Sequence, residues 1–281
     1  MDISEELGQQ LINFGAEKLT TIATETTTTS RLARYRYTCE LQEIRRVANR
    51  INGYGEKVYS QADQDGIILA ICEIIDLPAG KFMEFGCGDG ENNTHNLLLN
   101  GWTGMWLEND DETFEQVKGN CGHWLETGAL SIGKARVTKN NINTYVDPAA
   151  GYNLISIDTD WNDYWLWEAM KAEPDIIVIE YNASITKGVS VTVPYYDGTD
   201  YPWRGGMHFG ASWSALKKLG KAKGYILVDC NLSGTDMFFV KERYERALLD
   251  RDCELYGYED PKYCLEYTLG HEKEFGPWVQ V

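Results

Sequence analysis

The chain has 281 residues, enough for one large α/β domain with appendages. Its 43 acidic residues outnumber its 26 lysines and arginines, a formal charge of −17 that repels nucleic-acid phosphates and anionic membranes. No apolar run would span a bilayer, Met1–Glu6 lacks the parts of a signal peptide, and seven scattered cysteines without C-x-x-C spacing indicate neither a disulfide frame nor a zinc site, so a cytoplasmic protein is expected.

Residues 1–55 read as a helical extension of two helices around a polar hinge. Ser4 is placed to cap the first helix, Glu5 and Glu6 to meet its amino-terminal dipole, and Leu7, Leu11, Ile12 and Phe14 to form its apolar side. The threonine-rich run from Thr20 to Ser30 suits a linker. From Arg31 a second helix is predicted, with Leu41, Ile44, Ala48 and Ile51 on one face. Two readings stand for this extension: a helix packed on the domain, or an arm through which two copies associate.

Residues 56–242 carry the alternation of strands and helices. Tyr59 to Gly66 precedes an apolar helix over Ile67 to Ile75; Gln61 and Asp65 sit where they either cap that helix or close over a ligand. Lys81 to Phe85 is a short strand that runs into Gly86, Gly88 and Gly90, with a helical pattern after them. Glycines there let backbone approach a ligand closely. The G-x-G-x-G spacing is neither a dinucleotide fingerprint nor a phosphate loop. Glu84, two residues before the first glycine, suits a ligand with an amino group rather than a pyrophosphate. A second strand, Thr103 to Asn109, contains Glu108 about 20 residues past the glycines, where a carboxylate holds ribose hydroxyls in nucleotide-binding α/β folds. Together these features point to S-adenosylmethionine.

A helix is predicted over Asp111 to Lys118 and a third strand over Ala135 to Lys139, leading to Asn140 and Asn141 as neighbours of an adenine. Strand four, Asn153 to Asp158, gives way to Asp160 and a helix to Lys171. Strand five, Asp175 to Tyr181, is nearly continuous in apolar residues, as a strand buried on both faces is. After a helix over Ala211 to Lys223, Tyr225 to Asp229 and Met237 to Lys241 are close enough to pair antiparallel. The sum is a doubly wound, mostly parallel sheet of seven strands. Residues 243–281, rich in Tyr and Glu, form a carboxy-terminal cap.

Tyr59-Ser60-Gln61, Asp65-Gly66, Glu84 to Gly90, Asn100-Gly101-Trp102, Ser156-Ile157-Asp158, Asn162 to Trp165 and Val178 to Asn182 resemble, in order, the motifs of the FkbM-like branch of class I S-adenosylmethionine-dependent methyltransferases. The resemblance runs from Tyr59 to Lys241 and departs at Ala62 and Trp161. It implies a Rossmann-like fold and methyl transfer, with Gln61, Glu84, Gly86, Gly88, Gly90, Glu108, Asn141 and Asp158 around the cofactor. It also suggests a saccharide or glycan precursor as acceptor.

Transfer to a hydroxyl needs a base or a bound metal. Asp158 and Asp160 follow strand four, and Glu180 and Asn182 end strand five, so neighbouring strands would gather oxygens suited to magnesium, calcium or manganese. In this reading Asp158, Asp160 and Glu180 hold the cation, and Asp160 or His208 takes the proton. The long loop from Ala183 to Phe209 reads as a lid over the acceptor, with Tyr195, Tyr196, Tyr201, Trp203 and Arg204 as its wall. Two rivals remain. One is a metal-dependent glycosyltransferase with Asp158-Thr159-Asp160 as its D-x-D, the other a methyltransferase-like domain kept for binding alone.

Overall fold

The structure is a computed structural model that describes residues 28–88, 91–198, 202–262, 265 and 271–281. The first expected helix, Gly90 and Tyr201 lie outside the described residues. The chain divides into a unit that ends at Leu41 and one over residues 42–281. Residues 42–55 fall in the same unit as the sheet.

Residues 28–47 are helical (α1), so the helix starts earlier than Arg31 and stops before Ala48. Ile44 is 56% exposed and Val47 77%. The expected stripe through Ile44 is therefore not a buried face. Ile51 is buried instead in a 3-10 turn, Ile51–Tyr54.

The second unit is built on a seven-stranded sheet. Its strands are β1 (Lys81–Phe85), β2 (Thr103–Glu108), β3 (Leu130–Lys134), β4 (Leu154–Ile157), β5 (Ile176–Glu180), β7 (Tyr225–Cys230) and β8 (Asp236–Lys241). They lie in the order β3-β2-β1-β4-β5-β8-β7, with β8 antiparallel to both neighbours. The doubly wound, mostly parallel sheet expected from the sequence is present. Helices α2 (Gln64–Ile74) and α3 (His95–Leu99) flank β1 in the chain, α4 (Asp111–Asn120) and α5 (Gly122–Glu126) join β2 to β3, and α6 (Ile142–Tyr145) precedes β4. Alternation along each strand feeds two cores. Ile155, Ile157, Ile177, Ile179 and Phe239 face helices α7 (Asp163–Ala169) and α8 (Trp213–Ala222). Leu154, Ile176, Val178, Phe238 and Val240 share the other core with Ile67, Ile68 and Ile71 of α2 and Leu97 and Leu98 of α3. Period-two side-chain direction makes both faces apolar, which is why these strands read as continuous hydrophobic runs.

Three expectations are corrected. The third strand is β3, not Ala135–Lys139: Leu130 and Gly133 pair with Gly104 and Leu107 of β2. Gly133 looks like a strand breaker, yet it pairs within the edge strand, and a Cβ there would come 2.8 Å from the movable Leu107 Cδ2. The loop from Ala183 to Phe209 is not structureless. It contains β6 (Val191–Thr192), paired antiparallel with β9 (Val279–Gln280) at the end of the chain. The carboxy-terminal residues thus strap this loop down. Third, Asp65 does not reach toward a ligand: its Oδ2 accepts from the amides of Val58, Tyr59 and Ser60 and from the Ser60 hydroxyl.

Arg50 anchors the start of the second unit. It pairs with Asp229 on β7 and, at 2.7 Å, with Glu259, both of which are buried. Arg50→Ala would leave the Asp229 carboxylate buried without its cation, at a cost of about 3–5 kcal/mol. Denaturant unfolding measures this; an unchanged midpoint would make the pair dispensable. Among the described residues no helix is long and apolar enough to cross a membrane, and the six described cysteines are free thiols.

Candidate active site

Strand β1 delivers the chain to Gly86, whose φ of +71° only glycine adopts without strain. A Cβ there would stand 1.8 Å from the carbonyl oxygen of Asp158, so the turn after β1 is pressed against the end of β4. Gly88 is different: its φ is +55° and, among the described residues, nothing lies within 4 Å of a Cβ position. Its amide donates to Glu108 Oε2 at 3.2 Å, and Glu108 Oε1 accepts from Asn109 and Asp110 amides. The glycine turn and the acid that ends β2 are thereby held together.

Both line a cavity of about 680 Å³, in the size range of small-molecule sites. Arg136, Asp158, Asp160, Trp161, Asn162 and Pro202 are also on its wall. Asn141 does not reach it. Its amide donates to the Arg136 carbonyl and its oxygen accepts from the Thr138 amide, closing a turn; Ala135, Arg136 and Val137 line the cavity in its place. A second cavity of about 200 Å³ opens on the other side of the glycine turn. Gly86, Gly88 and Asp158 line both, and Gln61, Gln64, Glu84, Asn93 and Asp236 line the smaller one. Both oxygens of Glu84 are bonded there. Its Oε1 accepts from the Asn93 amide, and its Oε2 from the amide and hydroxyl of Thr94. Burial, against these hydrogen bonds, pushes it up to about 7. Glu84 therefore shapes the turn before α3, with three donors on its two oxygens.

Because β4 and β5 are neighbours, Asp158, Asp160 and Glu180 meet at the sheet edge, each with an oxygen within 4.8 Å of the others. Asp160 has a φ of +57°, a conformation that Asp and Asn tolerate better than most residues. Glu180 Oε2 is buried without a hydrogen-bond partner among the described residues, as is one oxygen of Asp163. Burial first, then the neighbouring carboxylates, raise Asp158 and Glu180 well above the ordinary range, and burial brings Asp163 up to about 7. Two oxygens on one ion stand at most twice the metal–oxygen distance apart, about 4.2 Å for magnesium and about 5 Å for calcium. Separations within 4.8 Å are compatible with one divalent cation taking an oxygen from each residue. Asn182 is not part of it: its amide donates to the Met207 and Phe209 carbonyls, and its oxygen accepts from Ser184.

The expected acceptor wall is rearranged. Tyr195 stacks edge-on with Trp165 under Lys139, and the Tyr196 backbone is bound at both ends by Asn162. The Trp203 indole donates to the Gly206 carbonyl and packs on Phe209 and His271. None of these side chains lines the cavity, nor does the exposed Arg204. The aromatic surface comes from Trp161, whose indole donates to the Pro194 carbonyl. His208 is also displaced from its expected role. It is buried behind Trp161, boxed by Trp278, and its Nε2 donates to the Pro277 carbonyl. Sequence periodicity missed both Trp161 and Asp236; the departure at Trp161 from the family pattern was the one signal available.

Strand order, glycine turn and the acid at the end of β2 make the layout Rossmann-like, as in class I methyltransferases. No protein-family model matches the chain, and no curated protein does. Among solved structures it is similar to the N-terminal domain of EvdMO1 with SAH bound (14% identity, 65% of this chain and 82% of that one, TM-score 0.43). It is also similar to magnesium protoporphyrin IX methyltransferase from Synechocystis PCC 6803 with bound SAH (12%, 63% and 81%, 0.43). A third is an S-adenosylmethionine-dependent methyltransferase from Clostridium acetobutylicum ATCC 824 (12%, 62% and 89%, 0.40). At such identities and TM-scores, no conclusion about this chain rests on them.

Proposed function

We propose that the protein is an S-adenosylmethionine-dependent O-methyltransferase of the FkbM-like kind, acting on a hydroxyl of a saccharide or glycan precursor. The observation that carries this reading is the joint placement of the Gly88 turn, Glu108 and two members of the carboxylate cluster, Asp158 and Asp160, on one cavity. S-adenosylmethionine would supply the methyl group from its sulfonium, and a divalent cation on Asp158, Asp160 and Glu180 would lower the pKa of the acceptor hydroxyl.

The chain's own groups do the rest. Glu108 holds the ribose end against the Gly88 turn. Trp161 offers a flat face to a sugar ring, with Asp160 beside it for hydroxyls. Asp160 takes the proton. His208 acts on the site only by supporting Trp161, because its ring faces the carboxy-terminal strap. Positioning of donor and acceptor in line supplies much of the rate in such a displacement.

Calorimetry with S-adenosylhomocysteine and a panel of sugar nucleotides tests the reading. Binding of the former alone is expected; binding of a sugar nucleotide alone would turn Asp158-Thr159-Asp160 into a glycosyltransferase site. In the same assay Glu108→Ala should weaken S-adenosylhomocysteine by about 1–3 kcal/mol, the scale for hydrogen bonds to a charged group. Unchanged affinity in the folded variant would remove Glu108 from the site.

A further inference from the structure

The smaller cavity has a wall that the cofactor's ribose and the acceptor leave unused. Asp236, the first residue of β8, lies opposite Glu180 in the antiparallel pair and is 3% exposed. Its Oδ2 accepts from Gln64 Nε2 at 2.7 Å, and its backbone amide is bound by Asn231 Oδ1. Its Oδ1 is buried and meets no well-aligned hydrogen-bond donor among the described residues, although the Asn93 side chain lies beside the carboxylate. Gln64 is itself buried, with its oxygen bound by the Ala62 amide, so it holds Asp236 in one orientation. A buried carboxylate with an oxygen lacking a well-aligned donor is costly unless something cationic meets it.

The surroundings narrow what that cation is. Asp236 lines the smaller cavity together with Gln61, Asp158 and Asn93, and no lysine or arginine is among its described lining residues. Glu84 is on the same wall with both oxygens occupied. The cavity shares Gly86, Gly88 and Asp158 with the larger one, so the two meet at the glycine turn. An ammonium with three donors matches a site of carboxylate and amide oxygens.

We propose that one ligand crosses the glycine turn, that Asp236 recognises its amino group, and that Gln64 is the positioning residue of Asp236. The proposal rests on the reading of that ligand as S-adenosylmethionine. It assigns to β8, rather than to Glu84, the choice of a ligand bearing an ammonium over one without it.

The test is calorimetry of the full chain and of Asp236→Asn with two probes: S-adenosylhomocysteine, and its deamino analogue with hydrogen in place of the amino group. The asparagine keeps an oxygen for Gln64, and binding of the deamino analogue reports whether the site is still formed. Wild type should prefer S-adenosylhomocysteine, and Asp236→Asn should lose at least about tenfold in affinity for it while holding the deamino analogue unchanged. Equal affinity of wild type and variant for S-adenosylhomocysteine would overturn the assignment. So would an equal loss for both probes, which would mean that Asp236 shapes the site and does not select charge. If wild type binds neither probe, the cofactor reading itself fails, an outcome distinct from the other two because it appears before any variant is compared.

Discussion

Manganese or calcium added at pH 8 is expected to raise the protein's resistance to unfolding, and Glu180→Gln to erase that gain. Asp158, Asp160 and Glu180 gather within 4.8 Å, and Glu180 has a buried oxygen without a partner among the described residues. Burial and mutual repulsion raise Asp158 and Glu180, and burial raises Asp163 and Glu84 to about 7. The sign follows from linkage. A carboxyl whose folded pKa is raised binds a proton more tightly in the folded state than in the unfolded chain. Its stabilising contribution is full below the ordinary carboxylate range and is lost as pH rises toward about 7. Without a cation the protein should therefore be more stable at pH 5 than at pH 8. An ion at one hundred times its dissociation constant offsets the loss by about 2.7 kcal/mol. Glu180→Gln should be more stable than wild type at pH 8 in chelator, because one buried charge is gone, and insensitive to the ion. Thermal melts across pH, with and without the ion, decide it. No shift with any divalent ion would mean that protons alone neutralise the edge and that Asp160 acts as a direct base. With an acceptor in hand, excess chelator should abolish turnover and leave S-adenosylhomocysteine binding intact.

Gly86→Ala is expected to cost more than about 3 kcal/mol of stability and to abolish S-adenosylhomocysteine binding. The left-handed φ of +71° is one part; the other is a Cβ 1.8 Å from the Asp158 carbonyl oxygen. That neighbour is backbone at the end of β4, so it cannot rotate away, and any relief moves Asp158 itself. Gly88→Ala is the control. Its φ of +55° strains an alanine by about 1–2 kcal/mol. Among the described residues nothing meets its Cβ, so the fold should survive while the ligand's approach is blocked. Denaturant unfolding and calorimetry on the two variants separate these effects. Equal stability losses would show that the Gly86–Asp158 contact is not what sets the turn.

Much of this site is legible in the amino-acid sequence. Glu108, Gly86, Asp158, Asp160 and Glu180 all sit at the carboxyl ends of strands that stand out as short apolar runs, and a ligand in an open α/β sheet binds at those ends. The resemblance of the motifs to FkbM-like methyltransferases adds an order to them. Polar residues judged by type alone are what mislead. Asn141, Asn182 and Asp65 look like ligand contacts, yet each spends its side chain on nearby backbone, as Asn and Asp do in turns. The tyrosines of the long loop fail for the same reason, since an aromatic ring looks alike in sequence whether it lines a cavity or packs a loop against its neighbours.

Sequence by itself determined the sheet strands other than the third, the glycine turn and the acids at the strand ends, because side-chain alternation and backbone freedom are properties of a few adjacent residues. Tertiary structure alone decided that β8 lies between β5 and β7, which sets Asp236 beside Glu180, and that β9 clamps β6, which takes His208 out of the cavity. Those pairings join residues tens of positions apart, and they are chosen by which arrangement buries both apolar faces of the sheet and satisfies every buried polar group. No local pattern records that choice.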